Sequence, residues 1–113
     1  MLDIKVEEIG DVTVGHLSGN LDATTAFKLK SEIEIILEQR KIDVVFNLSD
    51  LDLIDSSGVG AIVSLFKRVR QLQGDVKLAA ITGQPAEIFK LLRLDKAFQM
   101  FDTVEEAVAK FKA

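Results

Sequence analysis

The most informative segment of the sequence lies near the middle of the chain: Val44-Val45-Phe46-Asn47-Leu48-Ser49-Asp50-Leu51-Asp52-Leu53-Ile54-Asp55-Ser56-Ser57-Gly58-Val59-Gly60. Residues 42–48 form a nearly continuous apolar run rich in β-branched residues, which is typical of a strand covered on both faces. We therefore expect residues 42–48 to form an interior strand and residues 49–55 to form a loop. After Ser56, apolar residues recur at helical spacing, namely Val59, Ile62, Val63, Phe66, Val69 and Leu72. A helix should begin there and end at Gly74.

The segments before this stretch predict a hairpin and a helix. Leu2, Ile4 and Val6 alternate with polar residues, which indicates an edge strand with one solvated face. Residues 12–17 resume the extended pattern after a turn, and residues 18–20 should end the hairpin. From residue 23 the period becomes helical, with Asp22 or Thr24 as the expected cap. The predicted inner face of this helix consists of Ala26, Leu29, Ile33, Ile36 and Leu37.

The segments after it continue the alternation. Residues 76–81 read as a second interior strand, and Pro85 suits the first turn of a helix. The apolar residues expected to face inward from that helix are Ile88, Leu91 and Leu92. Residues 98–101 predict a short edge strand, and Thr103 is the expected cap of a last helix whose inner face holds Val104, Ala107, Val108 and Phe111. Such alternation predicts the α/β class, with a mixed central sheet of about four to five strands and about four helices.

Composition limits both the size and the chemistry of the molecule. The chain has 113 residues, and because domains commonly run to roughly 100–150 residues we expect one domain over 1–113. Its 48% hydrophobic content rules out disorder as a description of the whole chain. The lack of cysteine excludes disulfides and thiol chemistry, and a net charge of −4 without a basic block argues against nucleic-acid binding. With neither a long apolar run nor a signal-peptide layout, we expect a soluble, cytoplasmic protein that does not bind membranes.

Chemistry, if present, should lie where the interior strand meets the helix, because open α/β sheets bind ligands beyond the carboxyl ends of their strands. Asp50, Asp52 and Asp55 could bind Mg²⁺, but turn and helix-terminus roles for these aspartates are favoured, so we expect no metal and no cofactor. Ser56 could act as a nucleophile only with a nearby base, and no spacing signal links it to His16, the single histidine. A helix-capping role for the serines stays open beside that of an exposed, modifiable hydroxyl.

The segment from Leu53 to Gly60, preceded by Val44-Val45-Phe46-Asn47-Leu48 and by Gly19-Asn20-Leu21-Asp22, resembles the STAS domain of bacterial anti-sigma factor antagonists. In that family a serine kinase, which is also the anti-sigma factor, phosphorylates the first hydroxyl residue after the motif's aspartate. The resemblance therefore implies phosphorylation at Ser56. It also implies a partner-binding surface formed by Asp22, Asp55, Ser56, Ser57 and Gly58. The chain departs from the family at Arg93, where many members have a helix-ending glycine.

The resemblance implies a binding protein and not an enzyme. Unphosphorylated, it would bind the anti-sigma factor serine kinase and release a sigma factor; phosphorylation of Ser56 would inactivate it, and a phosphatase acting on phosphorylated Ser56 would restore it. ATP and Mg²⁺ would belong to the kinase. One alternative is a STAS sensory or scaffolding module of a larger signalling assembly. A less favoured one is a small serine-dependent hydrolase or phosphate-handling enzyme that uses Ser56 with the aspartates.

Overall fold

The computed structural model describes residues 1–112, which form a five-stranded sheet with helices on both faces. In chain order the elements are β1 (Leu2–Ile9), β2 (Val12–Leu21), α1 (Ala26–Glu38), β3 (Asp43–Ile54), α2 (Ser56–Arg70), β4 (Asp75–Ala79), α3 (Gly83–Leu91), a 3₁₀ turn (Leu94–Lys96), β5 (Met100–Phe101) and α4 (Val104–Lys112). The strands lie in sequence order, with β1 antiparallel to β2 and every other pair parallel. The predicted α/β class and mixed sheet are confirmed. Within the described residues, no helix is long and apolar enough to cross a membrane.

The strands β2 and β3 are both longer than predicted. The expectation that β2 stops at residues 18–20 is wrong, because it continues to Leu21 through two shifts in register. The expectation of a loop over residues 49–55 is also wrong, since this extension of β2 pairs with β3 as far as Ile54. Hydrogen bonding between neighbouring strands thus overrides a polar, turn-like composition. As a consequence, β3 leads into α2 with a single residue, Asp55, between them.

Helices α1, α2 and α3 cover one face of the sheet and enclose the larger hydrophobic cluster, while α4 encloses a smaller cluster on the other face. The prediction for α1 holds, with Ala26, Leu29, Ile33 and Ile36 buried. Of the residues expected to face inward from α2, Leu72 is exposed because it follows the end of the helix. Thr103 accepts a hydrogen bond from the backbone N–H of Glu106 at 3.1 Å and caps α4 as expected.

The inner face of α3 differs from the prediction. Leu91 and Leu92 are 76% and 50% exposed, whereas Phe89 is fully buried and forms an edge contact with Phe98. The helix has only nine residues, so Leu91 is its last residue and Leu92 follows its end. Arg93 then takes the left-handed conformation, with φ of 58°, which glycine adopts more readily than arginine at the end of a helix.

Gly74 has a different role from the one expected. The left-handed residue after α2 is Gln73, with φ of 70°, and Gly74 donates its N–H to the carbonyl of Val69 at 2.8 Å. A Cβ at Gly74 would lie 2.1 Å from the carbonyl oxygen of Ile42. Glycine is therefore required here for the close approach of two backbone segments before β4, and not for its freedom in φ.

Candidate functional site

Asp55 organises the junction of β3 and α2. It is the N-cap of α2, where one carboxylate oxygen accepts hydrogen bonds from the N–H groups of Ser57 at 2.9 Å and Gly58 at 3.1 Å. The other oxygen accepts from the N–H of Ala23 at 3.1 Å, and the N–H of Asp55 itself donates to the carbonyl of Leu21 at 3.1 Å. Asp55 thereby joins three segments of chain. The capping role left open for the two serines belongs to Asp55.

Asp22 closes the turn that precedes α1. Its carboxylate accepts from the Thr24 hydroxyl at 2.6 Å and from the Thr24 N–H at 2.9 Å. The hydroxyl contact is the main cause that lowers the pKa of Asp22, so this carboxylate carries its negative charge at neutral pH. The prediction that Asp22 or Thr24 caps α1 is wrong: the N-cap is Thr25, because residues 22–25 first form a turn. The buried Thr25 hydroxyl donates to the carbonyl of Asn20 at 2.8 Å and anchors that turn to β2.

The three residues after Asp55 differ in their access to solvent. Ser56, the first residue of α2, is exposed, and Ser57 is half-buried. Gly58 is buried, and a Cβ built on it would lie 2.6 Å from the Leu21 side chain and 2.8 Å from the Leu21 carbonyl oxygen. Glycine at this position therefore lets α2 lie close to β2, and the predicted place of Gly58 on a partner surface stays a prediction.

A groove between α1 and α2 begins beside the serines and encloses about 490 Å³. It is lined by Lys30, Ile33, Glu34, Ser56, Ser57, Gly60, Ala61, Ser64 and Arg68. Arg68 donates to both carboxylate oxygens of Glu34, at 2.6 and 3.2 Å, and this contact lowers the pKa of Glu34 and raises that of Arg68. The residues of α2 in the groove are mostly small, so a partner can approach Ser56 along this helix closely.

The other candidate chemistries find little support in the geometry. His16 lies on β2 with one ring nitrogen 3.1 Å from a Glu7 carboxylate oxygen and the other 2.9 Å from the Asn47 amide nitrogen. It lines a separate cavity of about 120 Å³ that does not include Ser56. Both ring nitrogens are thus engaged away from the serine, which a general base would have to contact. In the part of the chain that the structure describes, no three acidic or histidine side chains are grouped as metal ligands would be.

Gln84 also belongs to the site, although no sequence pattern predicts it. Its side-chain amide donates to the carbonyl of Ile54 and accepts from the N–H of Ile54, both at 2.9 Å. Ile54 immediately precedes Asp55, so Gln84 contacts the backbone two residues before Ser56. A lone glutamine in a helix carries no sequence signal for such a contact, which depends on how α3 packs against β3.

Comparison with known proteins gives consistent matches over nearly the whole chain. The model of the STAS domain family matches residues 3–107. The anti-sigma F factor antagonist of Paenibacillus polymyxa is 24% identical over 112 residues, covering 98% of this chain and 96% of its own length. An anti-sigma factor antagonist from Mycobacterium paratuberculosis has a similar structure, with a TM-score of 0.92 and 21% identity over 100% of this chain and 96% of its own. The Bacillus cell fate determinant SpoIIAA in its phosphorylated form aligns with a TM-score of 0.79 and 22% identity, over 96% of this chain and 99% of its own.

Proposed function

This chain belongs to the STAS domain family, and from that membership we propose that it is an anti-sigma factor antagonist controlled by phosphorylation of Ser56. The unphosphorylated protein binds an anti-sigma factor with serine kinase activity and so releases a sigma factor. The kinase supplies ATP and Mg²⁺, and a separate phosphatase reverses the modification. In this role the chain is a binding protein and not an enzyme. Relatives named as anti-sigma factor antagonists and a fold shared with a protein known in a phosphorylated form support the proposal.

The observation that carries the proposal is the exposed hydroxyl of Ser56 at the start of α2, directly after Asp55, the N-cap of that helix. A kinase can reach this hydroxyl without unfolding the segment. Ser57 is half-buried, which makes it the poorer acceptor. The proposed partner surface consists of Asp22, Asp55, Ser56, Ser57 and Gly58. The hydrogen bond from the Ala23 N–H to the Asp55 carboxylate holds the turn that contains Asp22 beside the start of α2.

Phosphorylation changes the charge of this surface more than its shape. A phosphate adds about −1.5 to −2 charges at neutral pH. Helix N–H groups often compensate such a charge, but those of Ser57 and Gly58 already donate to Asp55. The phosphate of Ser56 would therefore add its negative charge to a surface that already carries the carboxylates of Asp22 and Asp55. Like charges placed in an interface can cost several kcal/mol, so one modification suffices to release the partner.

The experiment that tests this proposal is a binding titration with the cognate anti-sigma factor kinase. We expect Ser56→Ala to bind like the unphosphorylated wild type, and Ser56→Asp to bind at least about tenfold more weakly, or 1.4 kcal/mol. Ser57→Asp places the same charge one residue away and serves as the matched control, for which we expect a smaller loss of affinity for the kinase. All variants should keep the circular dichroism spectrum of the wild type. Equal binding by Ser56→Asp and the wild type would contradict the proposal.

A further inference from the structure

Among residues 1–112, no strand pairs with the last part of β3 on the side of β4. The pairing of β3 with β4 ends at Asn47 and Ala79, whereas β3 continues for seven residues, to Ile54. At Ala80 the chain leaves the sheet with a left-handed φ of 57°, and its N–H donates to Phe101 of β5. In the part of the chain that the structure describes, the end of β3 is thus paired with β2 alone as it approaches the proposed phosphoacceptor segment, residues 55–57.

Gln84 occupies the place of the missing strand at Ile54. In a parallel strand, the N–H and the carbonyl of one residue point toward the same neighbour, and those of the next residue point toward the other. The N–H of Asp55 donates to Leu21 of β2, so both backbone groups of Ile54 face away from β2. The Gln84 amide satisfies the two together, at 2.9 Å each, and so takes the place of the N–H and carbonyl groups that a neighbouring strand would supply. Two hydrogen bonds from one planar amide restrict both the position and the tilt of the Ile54 peptide groups.

We infer that Gln84 is a positioning residue for the phosphoacceptor segment. Gln84 holds Ile54 on one side through two hydrogen bonds, which we call the backbone clamp. On the other side, the N–H of Asp55 donates to the carbonyl of Leu21. Together these contacts fix the backbone where β3 becomes α2. Ser56 is then presented at a defined place before the kinase arrives, and the kinase does not have to order this segment itself. The part of this inference that concerns phosphorylation rests on the proposed function, whereas the part that concerns the backbone can be measured on the protein alone.

The first measurement is amide hydrogen exchange on the free protein, comparing wild type with Gln84→Ala and Gln84→Glu. Glutamate keeps the length of the side chain and can accept from the Ile54 N–H, but its ionised carboxylate cannot donate to the Ile54 carbonyl. We expect exchange at Ile54 to become at least tenfold faster in Gln84→Ala, and exchange at Leu78, in the interior strand β4, to change by less than twofold. Gln39→Ala, a surface glutamine at the far end of α1, should match the wild type.

The second measurement is the steady-state rate of phosphorylation of the same variants by the cognate kinase. We expect Gln84→Ala and Gln84→Glu to raise KM at least fivefold while their unfolding remains cooperative, and Gln39→Ala to leave KM unchanged. Unchanged exchange at Ile54 in Gln84→Ala, or altered exchange without any change in phosphorylation, would overturn the positioning role. If the wild type is not phosphorylated at all while exchange at Ile54 depends on Gln84, the proposed function is wrong and the backbone clamp stands.

Discussion

Replacing Gly58 by alanine tests the close approach of α2 to β2 that places Ser56. The new Cβ would lie 2.6 Å from Leu21 Cγ, 2.8 Å from Ile54 Cγ1 and 2.8 Å from the Leu21 carbonyl oxygen, all closer than ordinary contacts. Overpacking of this kind costs about 1–3 kcal/mol, and the upper part of that range applies because a backbone oxygen cannot rotate away. Alanine regains about 1 kcal/mol of helix propensity, so we expect a net loss of about 1–2 kcal/mol.

The same helix supplies the matched control. Gly60 is exposed, and a Cβ built there has no neighbour within 4 Å, so Gly60→Ala should gain about 0.5–1 kcal/mol from helix propensity alone. Urea unfolding followed by far-UV circular dichroism gives both free energies, with the m-value showing whether the unfolded states are comparable. A Gly58→Ala variant that is as stable as Gly60→Ala would refute the packing argument, and with it the structural reason for glycine after the two serines.

Three further predictions concern stability. Val45 is fully buried beneath α4, so Val45→Asp should abolish cooperative unfolding by placing an unpaired charge in the core; a normally folded, soluble variant would contradict the interior position of β3. Asp55→Ala should lower the free energy of unfolding by about 1–2 kcal/mol in urea titrations, and Asp52→Ala, on the exposed side of β3, by less than about 0.5 kcal/mol; equal losses would argue against the cap. Burial is the main cause that raises the pKa of Asp43 above its ordinary value of 3.8, so the folded state binds this proton more tightly and loses stability as pH rises from that value. Asp43→Asn should therefore match the wild type at lower pH and exceed it at neutral pH, and a constant difference across a pH series of unfolding curves would contradict this.

Periodicity predicted those elements whose positions are decided by burial. The interior strand through Val45 and the buried face of α1 follow from the spacing of their apolar residues, because those residues fold toward the core to avoid water. The helix start at residues 55–57 follows from local sequence, because the capping residue Asp55 lies directly before α2, whereas phosphorylation of Ser56 is a proposal that rests on the family resemblance. Asp22 was placed near it by family resemblance, and the hydrogen bond between Asp55 and Ala23 supplies the physical reason.

Features that depend on distant partners were not predictable from local sequence. Residues 49–54 look like a loop, and only the extension of β2 beside them makes them a strand. The contact of Gln84 with Ile54 joins residues 30 positions apart. The left-handed Gln73 and Arg93 occupy positions where propensity favours glycine, so helix ends were placed less well than helix centres.

Control of this protein by phosphorylation of Ser56 is tested by locating the phosphate after incubation with the cognate anti-sigma factor kinase, ATP and Mg²⁺. Mass spectrometry of the peptide that spans residues 55–60 should find a single phosphate, on Ser56, in the wild type and in Ser57→Ala. The variant Ser56→Ala should remain unmodified and should still bind the kinase. A phosphate on Ser57, or continued phosphorylation of Ser56→Ala, would contradict the claim that the exposed first hydroxyl of α2 is the switch.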